Sequence, residues 1–275
     1  SGVIGTAANI GILLMSTIAT YRAVTPTDWQ WVMLVAASPV ILGIFSLLVV
    51  PESPRWQQAR LQQQQQSTTM TTSEIFRPPL LKVTLLGIFL ATVPTIGAWG
   101  SANWMVPWAA EAGEAATPPN PILKAQVNQY RSMTGIIGSL LGGWIASLLG
   151  RRTTYCLTSL GALLSAQYTF WRLHPTDPTF LAWVAALGFF SGIYFGWLPL
   201  CLPELFPTRA RSAGAGVSFN FGRILTAVTI FVTGTLTQVF AGDFAGIGRV
   251  TSLIFAGGML LIFFIPDTSQ HQLED

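Results

Sequence analysis

The 275 residues are 51% hydrophobic and only 9% charged, against roughly 25% charged residues in an ordinary soluble domain. That balance excludes a water-soluble globular enzyme or regulator and fits a chain embedded in lipid. A formal net charge of +3, with its basic residues scattered among short loops, also excludes a nucleic-acid surface, which needs a basic patch interleaved with aromatics.

Taken in chain order, apolar runs predict eight spanning helices: 2–20, 31–50, 81–108, 126–149, 155–171, 180–202, 213–240 and 249–265. A hydrocarbon core about 30 Å thick demands ~17 to 25 mostly apolar residues per crossing, and each run supplies them. The alternating apolar and polar tenmers of a membrane β-barrel are missing, so the backbone must find its hydrogen bonds within helices. The fold class expected is an all-α membrane protein. The opening "SGVIGTAANIGILLMSTIATY" has no initiator methionine, basic leader or small-residue cleavage site. It reads as a chain that begins at or inside a helix, as in a truncated or partial sequence.

After the second run, residues 51–80 hold "QARLQQQQQSTTMTTSE", a polar low-complexity tract that cannot bury a core and reads as a linker. It divides the chain into residues 1–50, with two helices, and residues 81–275, with six helices and a short tail. Sorting lysines and arginines by loop gives the orientation. Arg55, Arg60, Arg77, Lys82, Arg151, Arg152, Arg209 and Arg211 fall on one side, and Arg22, Lys124, Arg172 and Arg249 on the other. The richer side, with the linker and the C-terminal tail, is placed in the cytoplasm. The Pro-rich "AAEAGEAATPPNP" between the third and fourth runs then lies outside.

Glycines recur at small-xxx-small spacing in Gly138/Gly142 and Gly192/Gly196, which lets helices approach closely in lipid or flex during a working cycle. Cys156 and Cys201 open and close spans without metal-ligand spacing, and both read as small buried apolar residues. His174 and His271 are far apart, no HExxH or GxSxG occurs, and no acid pair lies within a span, so a membrane enzyme is not expected. No cofactor or metal is expected either.

Three edges on the cytoplasmic side carry similar clusters of charge, namely "PESPRW" at 51–56, "GGWIASLLGRR" at 142–152 and "PELFPTRAR" at 203–211. Acids and arginines at helix ends in one compartment either pair across helices when that face is closed, or are solvated helix ends. In this order and at these intervals, the edges resemble the major facilitator superfamily, in its sugar-porter and organic-acid or niacin-transporter branches. The terminal "FFIPDTSQ" looks like a degraded copy of the "PETKG" element of sugar porters. The resemblance covers essentially the whole chain and makes it helices five to twelve of a twelve-helix fold, with the glutamine-rich tract as its central loop.

The resemblance implies a secondary transporter working by alternating access around a midplane site. It also implies a cytoplasmic charge network that favours the outward-facing state, carried here by Glu52, Arg55, Arg151, Arg152, Glu204, Arg209 and Arg211. Ser147 stands where the family places an acid before "GRR", and Asp267 replaces a final glutamate, which weakens that half of the network. A transporter-like receptor would keep the architecture without coupling, and a hexose-type sugar porter is a further alternative.

An ionisable residue inside a span is a functional hypothesis by default. All 11 acids fall in loops or tail in this topology, whereas Arg131 and Arg223 enter spans. Arg223, with Thr226, Thr229, Thr233 and Thr237 at helical spacing, makes one polar stripe, facing an aqueous cavity or bonding back to its own helix. Asn220, one turn before, completes "FNFGR", which resembles the organic-acid and niacin branch. Arg131, in "QVNQYRSMTG", either grips a substrate carboxylate or sits at headgroup level. Thr95, Trp99 and Asn103, with Thr92, form a second stripe, and the segment around them resembles a "GYWGxxTWLP" region of organic-acid carriers. Tyr194 and Trp197 either close a cavity or pack as aromatics. The expectation is a small organic solute, an organic acid or sugar-like metabolite, carried by a monomer in the plasma membrane with a proton as the coupling ion.

Overall fold

The computed structural model describes residues 2–22, 24, 27–52, 54, 57 and 72–264 of the chain. Among these, every regular element is a helix, which gives the all-α membrane fold that the composition demands. Four helical stretches among them are long and apolar enough to cross a bilayer: Gln30–Val49, Leu123–Leu149, Phe180–Glu204 and Phe244–Phe264.

Numbered in chain order, α1 is Gly2–Tyr21, and α2, Gln30–Ala37, runs into α3, Pro39–Val49. Pro39 has no N–H to donate, so the helix restarts there with Pro at its first position, its natural place. Trp31 is the one buried residue of α2, and α3 buries none. This rod presents apolar side chains on all sides, a surface that lipid solvates as well as protein does.

The third apolar run is two helices joined by a wide turn: α4 is Leu80–Ile96, a π-helical segment spans Gly97–Ser101, and α5 is Ala102–Ala115. It therefore reaches beyond the expected end at 108, carrying the exposed Glu111 and Glu114 at its tip. Pro94 inside α4 leaves the Leu90 carbonyl without its usual donor. The Tyr155 hydroxyl, reaching across from a neighbouring helix, donates to that oxygen at 3.0 Å. A kink that would leave a buried acceptor unpaired in lipid is thus satisfied by another segment.

The remaining rods are α6, Leu123–Leu149; α7, Arg151–Arg172; α8, Phe180–Glu204; α9, Arg211–Phe231, continued by α10, Thr233–Val239; and α11, Phe244–Thr251, continued by α12, Ile254–Leu261. Gly150 alone joins α6 to α7, and its φ of +84° is the left-handed backbone that such a reversal needs.

The most intimate packing joins α6 to α8. Gly135, Gly138 and Gly142 on α6 meet Gly188, Gly192 and Gly196 on α8, backbone against backbone. A Cβ on Gly138 would lie 2.2 Å from the Phe189 carbonyl oxygen, and one on Gly192 would lie 2.3 Å from that of Gly135. The Ser139 hydroxyl donates to Gly192 O at 3.1 Å and Thr134 to Ala185 O at 2.6 Å, which ties the two helices further. Helix α1 lies along both α6 and α8, while α9 packs on α4. The aromatic core under this layer contains Tyr155, Tyr194, Trp197, Phe170, Phe180 and Phe255, all nearly or fully buried.

Candidate functional site

A cavity of about 330 Å³ opens among α1, α4, α6, α8 and α9. Arg131 of α6, Arg223 of α9 and Thr95 of α4 line it together with Asn9 of α1, Ser191 of α8 and Phe219 of α9. No acid is among the lining residues, so two guanidiniums share one space without a built-in counter-ion. At 1.5 Å per residue, Arg131 lies about 12 Å along α6 from Leu123, and Arg223 about 18 Å along α9 from Arg211. Both sit well inside their helices rather than at the helix ends.

Arg131 is under-coordinated. Its Nη1 donates to the Ala98 carbonyl and its Nη2 to Asn128 Oδ1, each at 3.4 Å, the far edge of hydrogen-bond range. Its Nε is buried and has no acceptor among the described residues. The Ala98 acceptor belongs to the π-helical segment after Pro94, so the break in the third rod brings a backbone oxygen to α6. A planar guanidinium with spare donors matches a carboxylate in bidentate fashion.

Arg223 is exposed to the cavity side and lies 5.2 Å from the Phe219 ring centroid, a cation–π contact that orients the charge without neutralising it. The Thr95 hydroxyl is within reach of Ala91 O at 2.8 Å, Thr92 O at 3.1 Å and Gly222 O at 3.4 Å. One proton serves three acceptors, and the last of them links α4 to α9 beside the cavity. Across from it, α1 closes the space: Asn9 lies against Gly135, and Gly5 packs on the Phe195 carbonyl. Pro199, four residues after Phe195 in α8, removes that carbonyl's usual partner. Gln129 Nε2 donates to Thr17 Oγ1 at 3.2 Å, a polar tie between α6 and α1.

At the end of the bundle where α6 turns into α7, Arg151 meets Glu204. Its Nε donates to Oε2 at 3.1 Å and its Nη2 to Oε1 at 2.9 Å, a bidentate pair joining the start of α7 to the end of α8. The side chains are only 16% and 15% exposed, so water screens the pair weakly. Arg151 Nη1 also donates to Ala146 O at 2.8 Å, satisfying a carbonyl in the last turn of α6, and reaches Ser147 Oγ at 3.4 Å. The Trp197 indole donates to the Arg151 carbonyl at 2.9 Å, so the aromatic core holds the backbone of the pair.

The other residues named from sequence are dispersed. Arg211 Nη2 donates to Thr208 Oγ1 at 3.3 Å, Arg152 is half-buried at the start of α7, and Glu52 is exposed. Arg55 and Asp267 lie outside the described residues, as do the side chains of Arg209, Trp99 and Thr233. Asn220 is exposed and donates to Gly216 O at 2.9 Å. Asn103 lines a different cavity of about 530 Å³ with Thr226, Thr229 and Thr237, so the two threonine stripes are divided between two spaces. Tyr194 sits inside the aromatic core, its hydroxyl 2.6 Å from Ser159 Oγ and its ring stacked on Phe255. Asn9 and Phe219 line the central cavity without belonging to either polar stripe; the single asparagine of α1 is the sequence signal for the first, and the sequence carries none for the second.

A family model described as the Major Facilitator Superfamily matches residues 1–229. The chain is 27% identical over 260 residues to a cis,cis-muconate transport protein of Acinetobacter baylyi, covering 92% of this chain and 61% of that protein. It is 31% identical over 158 residues to an uncharacterised MFS-type transporter of Schizosaccharomyces pombe, covering 51% of this chain and 28% of that protein. It is 25% identical over 274 residues to an inner membrane metabolite transport protein of Escherichia coli, covering 96% of this chain and 60% of that protein. The chain thus spans at most about three-fifths of the length of these relatives.

Proposed function

The chain belongs to the major facilitator superfamily, a family of multi-pass membrane transporters and not of enzymes, and on that premise we propose that it carries a small organic acid by alternating access. The observation that carries this reading is the buried, under-coordinated guanidinium of Arg131 in a cavity that also holds Arg223 and no acid. Two cations in low dielectric attract an anion, and incomplete hydrogen bonding at Arg131 leaves donors for a carboxylate to fill. The apolar remainder of the wall, from Ile12 to Phe219 and Phe195, suits a hydrocarbon or aromatic body. That one relative is named for cis,cis-muconate, itself an organic acid, supports the same substrate class.

In this reading the helices around the cavity rock about the bound acid while the Arg151–Glu204 pair fastens the cytoplasmic end in the outward-facing state. The α6–α8 glycine seam keeps Arg131 fixed relative to α8, and the thinner contacts along α1 yield during the cycle. Uptake is driven by an inward proton gradient. The protein is a monomer in the plasma membrane, with lipid around its apolar rods.

The experiment is uptake by proteoliposomes containing the full-length protein, offered labelled organic acids, nicotinate and sugars, with and without an inward proton gradient. Gradient-stimulated accumulation of an acid supports the reading. Transport of sugar but of no acid overturns it.

A further inference from the structure

A second cavity, of about 480 Å³, adjoins the first, with Ala8 and Ile12 of α1 in the walls of both. It lies among α1, α2, α5 and the start of α6, at the end of the bundle away from Arg151, which the loop charges place outside. Most of its wall is apolar, and its polar groups come from three helices, with Ser16 the contribution of α1. Lys124 and Asn128 of α6 line it, as does Trp31 of α2, which is only 7% exposed and whose indole Nε1 has no acceptor among the described residues. Arg22, paired with Asp28 at 2.8 Å, lies 5.6 Å from the ring centroid of that indole and helps hold it in place.

Lys124, Asn128 and Arg131 are spaced by four and three residues, so they climb one face of α6 turn by turn. The first two line the outer cavity and the third lines the central one. Asn128 Oδ1 accepts from Arg131 Nη2, which joins the two spaces chemically. Lys124 and Arg131 are seven residues apart, about 10 Å along the helix axis. No acid lines either cavity, and the charged side chains in their walls, Lys124, Arg131 and Arg223, are all basic.

We propose that the outer cavity is an anion-staging site, in which Lys124, with Asn128 one turn further along α6, collects a carboxylate from outside before Arg131 draws it inward. The inference rests on the organic-acid reading of the central cavity, and adds to it a second site and the order in which the two are occupied. A lysine at the mouth raises the local concentration of anions and their rate of entry. The apolar walls solvate the rest of the acid.

The test uses charged probes and needs no knowledge of the substrate. In the full-length protein with its native cysteines replaced, Ala19→Cys places a thiol on the wall of the outer cavity. Its rate of modification is measured with a negatively charged and a positively charged methanethiosulfonate of similar size. The negative reagent is expected to react faster, and Lys124→Gln to remove about three- to tenfold of that preference. Lys124→Arg, which keeps the charge, should retain it and shows that a loss in Lys124→Gln does not reflect misfolding. Equal rates for both reagents, or a preference unchanged by Lys124→Gln, overturn the proposal. Failure of every organic acid to be transported would instead count against the central-cavity reading, because labelling does not depend on transport. Where an acid is transported, Lys124→Gln should raise its KM from outside several-fold with kcat unaltered, whereas loss of kcat alone would contradict a staging role.

Discussion

Substituting Gly192 by alanine should loosen the α6–α8 seam more than its one added methyl suggests. The new Cβ would lie 2.3 Å from the Gly135 carbonyl oxygen and 2.9 Å from both the carbonyl carbon and the Cα of the same residue. These are backbone atoms of a helix that cannot rotate aside, so the two helices must separate by about 1 Å to restore an ordinary contact of ~3.3 Å. The Ser139 hydroxyl bond to Gly192 O, now 3.1 Å, would stretch beyond its useful range. Overpacking of this kind costs about 1–3 kcal/mol. At about 2–4 °C per kcal/mol for a chain this long, the melting temperature in detergent should fall by roughly 2–12 °C. Gly143→Ala is the matched control, since its Cβ would stand 3.7 Å from Gly196 O, in ordinary contact. Equal melting temperatures for Gly192→Ala and Gly143→Ala would refute the claim that backbone contact at the seam fixes α6 against α8.

Further outcomes follow from the same geometry. Tyr155→Phe should cost about 1–3 kcal/mol by leaving the Leu90 carbonyl unpaired, and most of that should return in Tyr155→Phe/Pro94→Ala, where residue 94 regains an N–H; strictly additive melting shifts in this double-mutant cycle would contradict the pairing. Glu204→Gln breaks the bidentate contact with Arg151 and should weaken the end of the bundle where α6 turns into α7 by about 1.5–3 kcal/mol. Cys201, buried in α8 one turn before Glu204, should then react faster with a membrane-permeant maleimide, and an unchanged rate counts against a latch there. Arg223→Gln should reduce uptake of an organic acid while leaving the melting temperature nearly unchanged, since Arg223 makes only a ring contact among the described residues; a large melting shift would mark it as structural.

The spanning helices are legible in the sequence because lipid leaves a chain no other way to satisfy its backbone, and apolar runs of the required length are therefore hard to miss. Interruptions are less legible. Pro94 and Pro107 lie in the third rod, yet whether a proline kinks a helix or is absorbed depends on who satisfies the freed carbonyl, and Tyr155 is 65 residues from Leu90. Arg131 and Arg223 stand out as charges deep in spans, because burial of a charge is costly enough to need a reason. Their convergence on one cavity is beyond reach of the sequence, since it depends on how α6 and α9 pack around α1, α4 and α8. The threonine stripes are ambiguous: Thr226 and Thr229 bond back to their own helix at 2.9 and 2.6 Å, a pattern that spacing cannot tell from a wet face. The charged edges mark a cluster, but partner choice within it, Arg151 with Glu204 across 53 residues, is a property of the fold.

The most direct measurement is proton-gradient-driven uptake of labelled cis,cis-muconate and labelled glucose by proteoliposomes of the full-length protein and of its Arg131→Gln variant. The account predicts that the acid accumulates and the sugar does not, and that Arg131→Gln lowers acid uptake by about a hundredfold, the scale of losing one partner of a buried charged contact. Acid uptake by the variant at the level of the unaltered protein, or accumulation of glucose alone, would contradict it.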